Sequence, residues 1–279
     1  MKLTVVCCLA LLLASVQPAA QSPSMDELLR RTGDYIGRFV DGLTNVVAEE
    51  EYQQSFQTGP ERRRLKSDFL LVKYPGMDNE FMAFRDVIAV NDRPVTDQQD
   101  RLLKLFIEPY ENPVARASEI ANASARHSLE RGRLANPLFV LAQLQRHYQP
   151  RFRFVLQGLT PRLGPGVREI ELFEIRNPAP SQPLPLHALA WIEEGTGRVL
   201  KTELREGRAP STRLTTTTFG TDPILGIDVP LELRDSYVLR AANGPVNAID
   251  QFNGVAKYGR FRRFQVHAEE KIETPPIPR

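Results

Sequence analysis

Glu49-Glu50-Glu51 is the first run in this 279-residue chain whose residue types and spacing suit chemistry. On a strand, alternation sends Glu49 and Glu51 to one face and Glu50 to the other. Two carboxylates on one face suit acid–base work or a hard cation. They equally suit a solvated face, and that is the reading adopted for them and for the similar pair Glu169 and Glu171. The only histidines are His127, His147, His187 and His267. None stands in the His-x-His or His-x-x-x-His spacing that sets two imidazoles on one side of a metal. His127 and His147 fall at helix ends, and His187 opens a strand after a proline-rich loop.

Nucleophiles are equally scarce. Both cysteines, Cys7 and Cys8, lie in an apolar leader. No serine stands in Gly-x-Ser-x-Gly, and no glycine-rich loop opens a helix in the phosphate-cradling pattern. Gly195-Thr196-Gly197 lies between strands and reads as a hairpin turn. Thr215 to Thr218 reads as ordinary strand, with Thr216 and Thr218 on the face of Leu214. No catalytic constellation, metal site or cofactor is expected, and the chain is read as a non-enzyme. With 36 Lys and Arg against 34 Asp and Glu, charge gives no case for nucleic acid. Two basic runs, Arg62-Arg63-Arg64 with Lys66 and Arg260 with Arg262 and Arg263, either touch anionic headgroups or are solvated, edge-protecting charges.

The elements that must carry these residues begin after residue 20. Lys2, the apolar run Leu3 to Leu13 and the small-residue exit Pro18-Ala19-Ala20 read as a secretory signal peptide over 1–20, with its cut site open. The run is shorter than the ~20 residues a membrane-spanning helix needs. An exported protein, periplasmic or extracellular, without a transmembrane segment is therefore expected. Ser24 with Glu27 forms a capping box, and Leu28, Leu29, Ile36, Phe39, Val40 and Leu43 make one helical stripe.

Three strands follow: Val47 to Phe56, Leu65 to Tyr74 and Glu80 to Val90. Phe69 to Val72 is apolar on both faces, which predicts cover on both sides of the sheet there. A three-helix insertion is expected over 96–147, opened by Thr96 with Gln99, Asn112-Pro113 and Asn136-Pro137. In its middle helix Ala117, Ala121, Ser124 and Ser128 predict close packing. From 151 the period becomes two, with Phe152, Phe154 and Leu156 on one face. Strands are expected at Val167–Ile175, around Leu189 and Trp191, and at Arg198–Leu204, with Leu200, Thr202 and Leu204 on one face. Thr212–Phe219, Asp228–Leu239, Val246–Tyr258 and a short Phe261–Val266 complete the set.

The hairpin Ala190-Trp191-Ile192-Glu193-Glu194-Gly195-Thr196-Gly197-Arg198-Val199-Leu200 resembles the W-I-D-x-x-T-G-x-V hairpin of periplasmic outer-membrane lipoprotein carriers (LolA- and LppX-like folds), with Glu193 where Asp is usual. The chain also resembles secreted bacterial proteins of no known activity that share Tyr74-Pro75-Gly76, Phe84-Arg85-Asp86-Val87 and Phe261-Arg262-Arg263-Phe264. The carrier resemblance implies an α+β fold: a curved antiparallel sheet, a half-open barrel of about 9–11 strands, with the N-terminal helix and the three-helix insertion covering its concave face. One such domain over 21–267 and a loose proline-rich tail over 268–279 are expected. The resemblance implies a cavity for a lipid or for a lipoprotein's acyl chains. The inward residues Phe152, Phe154, Leu156, Trp191, Leu200 and Leu204 then either line it or fill a core, since an apolar cavity needs no polar signature. The rival expectation is a cell-envelope protein-interaction or structural module that uses a sheet edge or the basic runs.

Overall fold

The computed structural model describes residues 23–74, 80–95, 113–130, 133–177, 184–208, 211–240 and 249–264. Helix α1 (Met25–Leu43) starts where the Ser24 hydroxyl accepts the Glu27 amide at 3.2 Å, with Asp26 and Glu27 suiting the positive end of the helix. Only this half of the capping box forms. The Glu27 carboxylate turns outward to Arg30 and Arg31. At the other end the Thr44 hydroxyl donates to the Val40 carbonyl, and Asn45, at φ 61°, turns the chain into the first strand.

Eleven strands follow: β1 (Val46–Phe56), β2 (Arg62–Lys73), β3 (Phe81–Val90), β4 (Arg93–Pro94), β5 (Phe152–Leu159), β6 (Val167–Glu174), β7 (His187–Glu193), β8 (Val199–Arg208), β9 (Ser211–Thr221), β10 (Asp228–Arg240) and β11 (Ile249–Arg263). They form one antiparallel sheet in the order β4-β3-β2-β1-β11-β10-β9-β8-β7-β6-β5. Two meanders therefore meet where the first long strand pairs with the last, and β4 and β5 lie at opposite edges. The two strands expected at 246–258 and 261–266 are one strand, β11. Its irregularity at Arg260, with φ 48°, is absorbed by a bulge opposite Val47 and Glu49.

One face of the sheet buries a single continuous core. Tyr52 and Leu65 near one edge, Leu233 and Ala256 in the middle, and Ile170 and Phe152 near the other all belong to it, together with Leu28, Ile36, Phe39 and Val40 of α1. Eleven strands at about 4.8 Å spacing would extend far past a helix about 10 Å across if the sheet were flat. The sheet must curl around α1, and its edges do not pair with each other. Each fully buried large side chain there contributes roughly 1.5–3 kcal/mol.

The stretch between the edges has to cross the molecule, because it joins β4 to β5. It contains α2 (Pro113–Ala125) and α3 (Phe139–Gln143); the helix expected from Thr96 lies outside the described residues. α2 does not cover the concave face. Its Val114, Ala117 and Ile120 pack on the outer face, against Val47, Leu70, Val72 and Phe84. Those strand residues alternate with Phe69 and Leu71, which face the main core, so this part of the sheet is covered on both sides. Ala117 is fully buried and Ser124 accepts the Val87 amide at 3.0 Å, the close approach that the small residues predict. Within the described part of this stretch, α3 and its flanks, through Ala135, Leu138, Leu141 and Leu144, join α1 on the concave side.

Candidate functional site

Asn136 accepts the Leu138 amide at 2.9 Å and turns the chain into α3. α3 buries Val140 against Ala188 of β7 and Leu204 of β8. Its opposite side leaves Phe139 41% exposed. Between α3 and the neighbouring ends of β7 and β8 lies a cavity of about 550 Å³. Its apolar walls are Phe139, Leu184, Leu186 and Leu204. At its rim Glu174 accepts the Leu186 amide at 3.0 Å and pairs with Arg151 and Arg176, each at 3.1 Å. Burial works against the Glu174 charge, but the Leu186 amide and the two guanidiniums outweigh it and hold the carboxyl below its usual range. These three charges are thus committed to one another, while the other charged wall residues, Arg205 and Glu206, pair with Glu203 and Arg133.

The six residues expected to face inward divide. Phe152 is core, Phe154 packs against it with ring centroids 6.2 Å apart, and Leu156, on the same face but toward the free edge, is 44% exposed. Leu204 is a cavity wall. Trp191 and Leu200 lie on the outer face with Val167 and Leu189, where the Lys201 ammonium sits 4.0 Å above the Trp191 ring. Trp191 faces out by plain alternation with Ala190 and Ile192, which face the core, and Leu200 does so because of a bulge. Trp191 pairs with Lys201 but Ile192 with Val199, so Leu200 falls on Trp191's side while Thr202 and Leu204 keep the inward face.

The charged candidates resolve likewise. Glu49 and Glu51 are on the outer face, and Glu49 pairs with Arg260 at 2.9 Å. Arg262 reaches Asp68 at 3.0 Å. Of the arginine run, Arg64 pairs with Asp92, whereas Arg63 turns inward to the His127 and Ser128 carbonyls at 2.8 and 3.0 Å. Glu171 bonds His187 on the outer face at 2.5 Å, and His147 lies 3.4 Å from Glu80. Among the described residues no three His, Cys, Asp or Glu side chains gather as a metal site would need.

Two buried polar groups escaped the sequence reading. Glu50, on the inward face between Ala48 and Tyr52, receives two bonds from Arg85 at 2.6 and 2.7 Å. Arg85 also donates to the Ala135 carbonyl at 2.9 Å, which ties β3 to the segment leading into α3. Burial opposes the Arg85 charge, yet Glu50 more than compensates and its pKa stays above the ordinary arginine value. Asp235 is also buried, accepts the Thr215 hydroxyl at 3.1 Å and lies near Arg213. Burial raises its pKa, against the pull of Arg213. The signal for Glu50 was the same alternation that set it apart from Glu49 and Glu51.

No protein-family model matches the chain, and no curated protein matches it. Solved structures do resemble it over most of its length. A LolA superfamily protein from Nitrosomonas europaea is 13% identical, with 88% of this chain and 96% of that one covered and a TM-score of 0.39. A DUF1329 family protein from Desulfovibrio piger is 12% identical, with 84% and 92% covered and a TM-score of 0.38. The likeness to the LolA superfamily read from the Trp191 hairpin thus recurs among solved structures. The strand order and the site described above rest on this chain's own register.

Proposed function

We propose that this chain is an exported, non-catalytic binding protein that holds a lipid or a lipoprotein's acyl chain in the cavity between α3 and the ends of β7 and β8. The carrying observation is the 550 Å³ cavity walled by Phe139, Leu184, Leu186 and Leu204. That volume lies within the roughly 300–1,000 Å³ typical of small-molecule sites. Phe139 and Leu184 are large apolar side chains left exposed there, and burial against an acyl chain would remove them from water. The concave face itself is filled by α1, so the ligand sits at the mouth of the curled sheet, not along its length. Export rests on the leader at 1–20, which lies outside the described residues. No helix of the described residues is long and apolar enough to cross a membrane.

The test is native mass spectrometry of the protein purified from an envelope extract, beside the variant Phe139→Asp. Because Phe139 is exposed, that variant keeps the fold. The expected result is a bound mass that leaves on delipidation, is identified as an acyl lipid, and is lost in the variant. A bare polypeptide mass, unchanged after incubation with lipid, would favour the second reading, an envelope interaction module. One observation supports that reading: β5 ends the sheet, its outer edge has no partner strand among the described residues, and Leu156 and Leu159 on it are exposed.

A further inference from the structure

On the outer face, α2 packs over β1 and β2 near one end, at Val47, Leu70 and Val72. Toward the other end of the same strands lies a trough of about 470 Å³ that crosses β2, β1 and β11. The register sets its walls on one face: Arg62 stands opposite Ser55, Arg64 opposite Gln53, and Ser55 opposite Asn253. Asn91, in the turn after β3, closes the β2 side. The lining contains three arginines, Arg62, Arg63 and Arg64, and no carboxylate. Arg63 sends its guanidinium to the other face, where carbonyls hold it without cancelling its charge. Arg64 and Lys66 share one carboxylate, Asp92. Arg62, exposed, has no ion pair or hydrogen bond among the described residues. The second basic run differs, since Glu49 and Asp68 answer Arg260 and Arg262.

The neutral walls are set the same way. The Asn91 side-chain oxygen accepts the Arg64 amide at 2.8 Å, and the Asn253 oxygen accepts the Gln251 side chain at 3.2 Å. In both asparagines the free end is therefore the NH2 group, a donor only, and both residues are exposed. The trough thus offers one unpaired guanidinium, two amide donors and the Ser55 hydroxyl, under an excess of positive charge. We propose that it binds a phosphate group. The planar fork of Arg62 matches two phosphate oxygens, and the asparagine NH2 groups donate to the others. The volume exceeds that of one phosphate and leaves room for whatever carries it, a lipid or a soluble molecule. The site lies across the sheet from the cavity beside α3 and does not rest on the acyl-binding reading.

The test is calorimetric titration of the full chain with inorganic phosphate at low ionic strength, beside sedimentation with phosphatidylcholine vesicles that carry or lack phosphatidic acid. Wild type is expected to bind phosphate, and more weakly as salt is added, because the site is exposed. Arg62→Gln removes a group that supports nothing in the fold and should weaken phosphate binding about tenfold, the worth of one charge-assisted hydrogen bond. Asn253→Asp, nearly the same shape, sets a carboxylate in the wall and should abolish binding. Arg262→Gln, on the same face but already paired with Glu49 and Asp68, should leave it unchanged. Vesicle binding that needs phosphatidic acid and is lost in Arg62→Gln would put the phosphate on a lipid. Phosphate binding without Arg62-dependent vesicle binding would put it on a soluble molecule, and either result supports the site. Absence of both in wild type, or equal effects of Arg62→Gln and Arg262→Gln, would overturn it, the latter by showing unspecific surface charge.

Discussion

Replacing Glu50 by Leu would leave the Arg85 guanidinium charged in the core with half its hydrogen bonds gone. The Glu50 and Arg85 side chains are 0% and 6% exposed, so water cannot take over the lost partner. Removing one member of a buried pair costs about 3–5 kcal/mol, most of it the penalty of the charge left behind. In a protein of this size each kcal/mol moves the melting temperature by about 2–4 °C, so Glu50→Leu should melt ~10 °C below wild type. Arg85→Met should be comparably costly, because it strands the Glu50 carboxylate and removes the 2.9 Å bond to the Ala135 carbonyl. The double variant Glu50→Leu with Arg85→Met exchanges the pair for apolar volume. It should recover to within about 3 kcal/mol of wild type, the Ala135 carbonyl and the Tyr258 hydroxyl being left without their Arg85 and Glu50 partners. Urea unfolding of the four proteins gives the coupling energy directly, provided all four unfold in one step with a common slope. A Glu50→Leu variant within 1 kcal/mol of wild type, or a double variant as unstable as the sum of the singles, would refute the account of this pair as a mutually dependent buried contact.

Three further outcomes are expected. Gly197, at φ 73°, packs its hairpin turn against α1: an added Cβ would lie 2.3 Å from the Arg31 carbonyl carbon, whereas at Gly195 it would meet nothing within 4 Å. Gly197→Ala should therefore lose a few kcal/mol in chemical denaturation, and Gly195→Ala about 0.5 kcal/mol at most. Because its folded pKa is depressed, Glu174 contributes stability that is fully present above the unfolded carboxylate value of about 4.3 and is lost as the pH falls through the lower folded value. Melting curves from pH 7 downward should thus show wild type and Glu174→Gln converging below about pH 4, and a constant difference would rule the linkage out. Trp191, the chain's single tryptophan, sits on the outer face under Lys201, away from the cavity. Its emission should stay unchanged when lipid binds, and a shift would relocate the ligand.

What the chain's spacing made legible was local. The α1 stripe is buried as read, the strands fall close to their expected positions, and the two-sided apolar run at Phe69 to Val72 has cover on both faces. Period two assigns a residue to a face only as far as the next bulge. Beyond the irregularity at Trp191 and Ile192 the parity reverses, and Leu200 joins Trp191 on the outer face instead of Leu204 on the inner one. Which helix covers which face is not local at all. It follows from β1 pairing with β11, about two hundred residues apart, which puts β4 and β5 at opposite edges and obliges the segment between them to cross. In crossing, that segment lays α2 on the outer face and α3 on the inner one, and the cavity lies where α3 stops short of the β7 and β8 ends. Its walls come from residues with no shared period: Phe139 on a five-residue helix, Leu184 and Leu186 on a loop, Leu204 on a strand. The enclosed side-chain amide of Gln145 was illegible for the same reason. Only the packed structure distinguishes a glutamine whose amide meets water from one whose amide is enclosed without a partner.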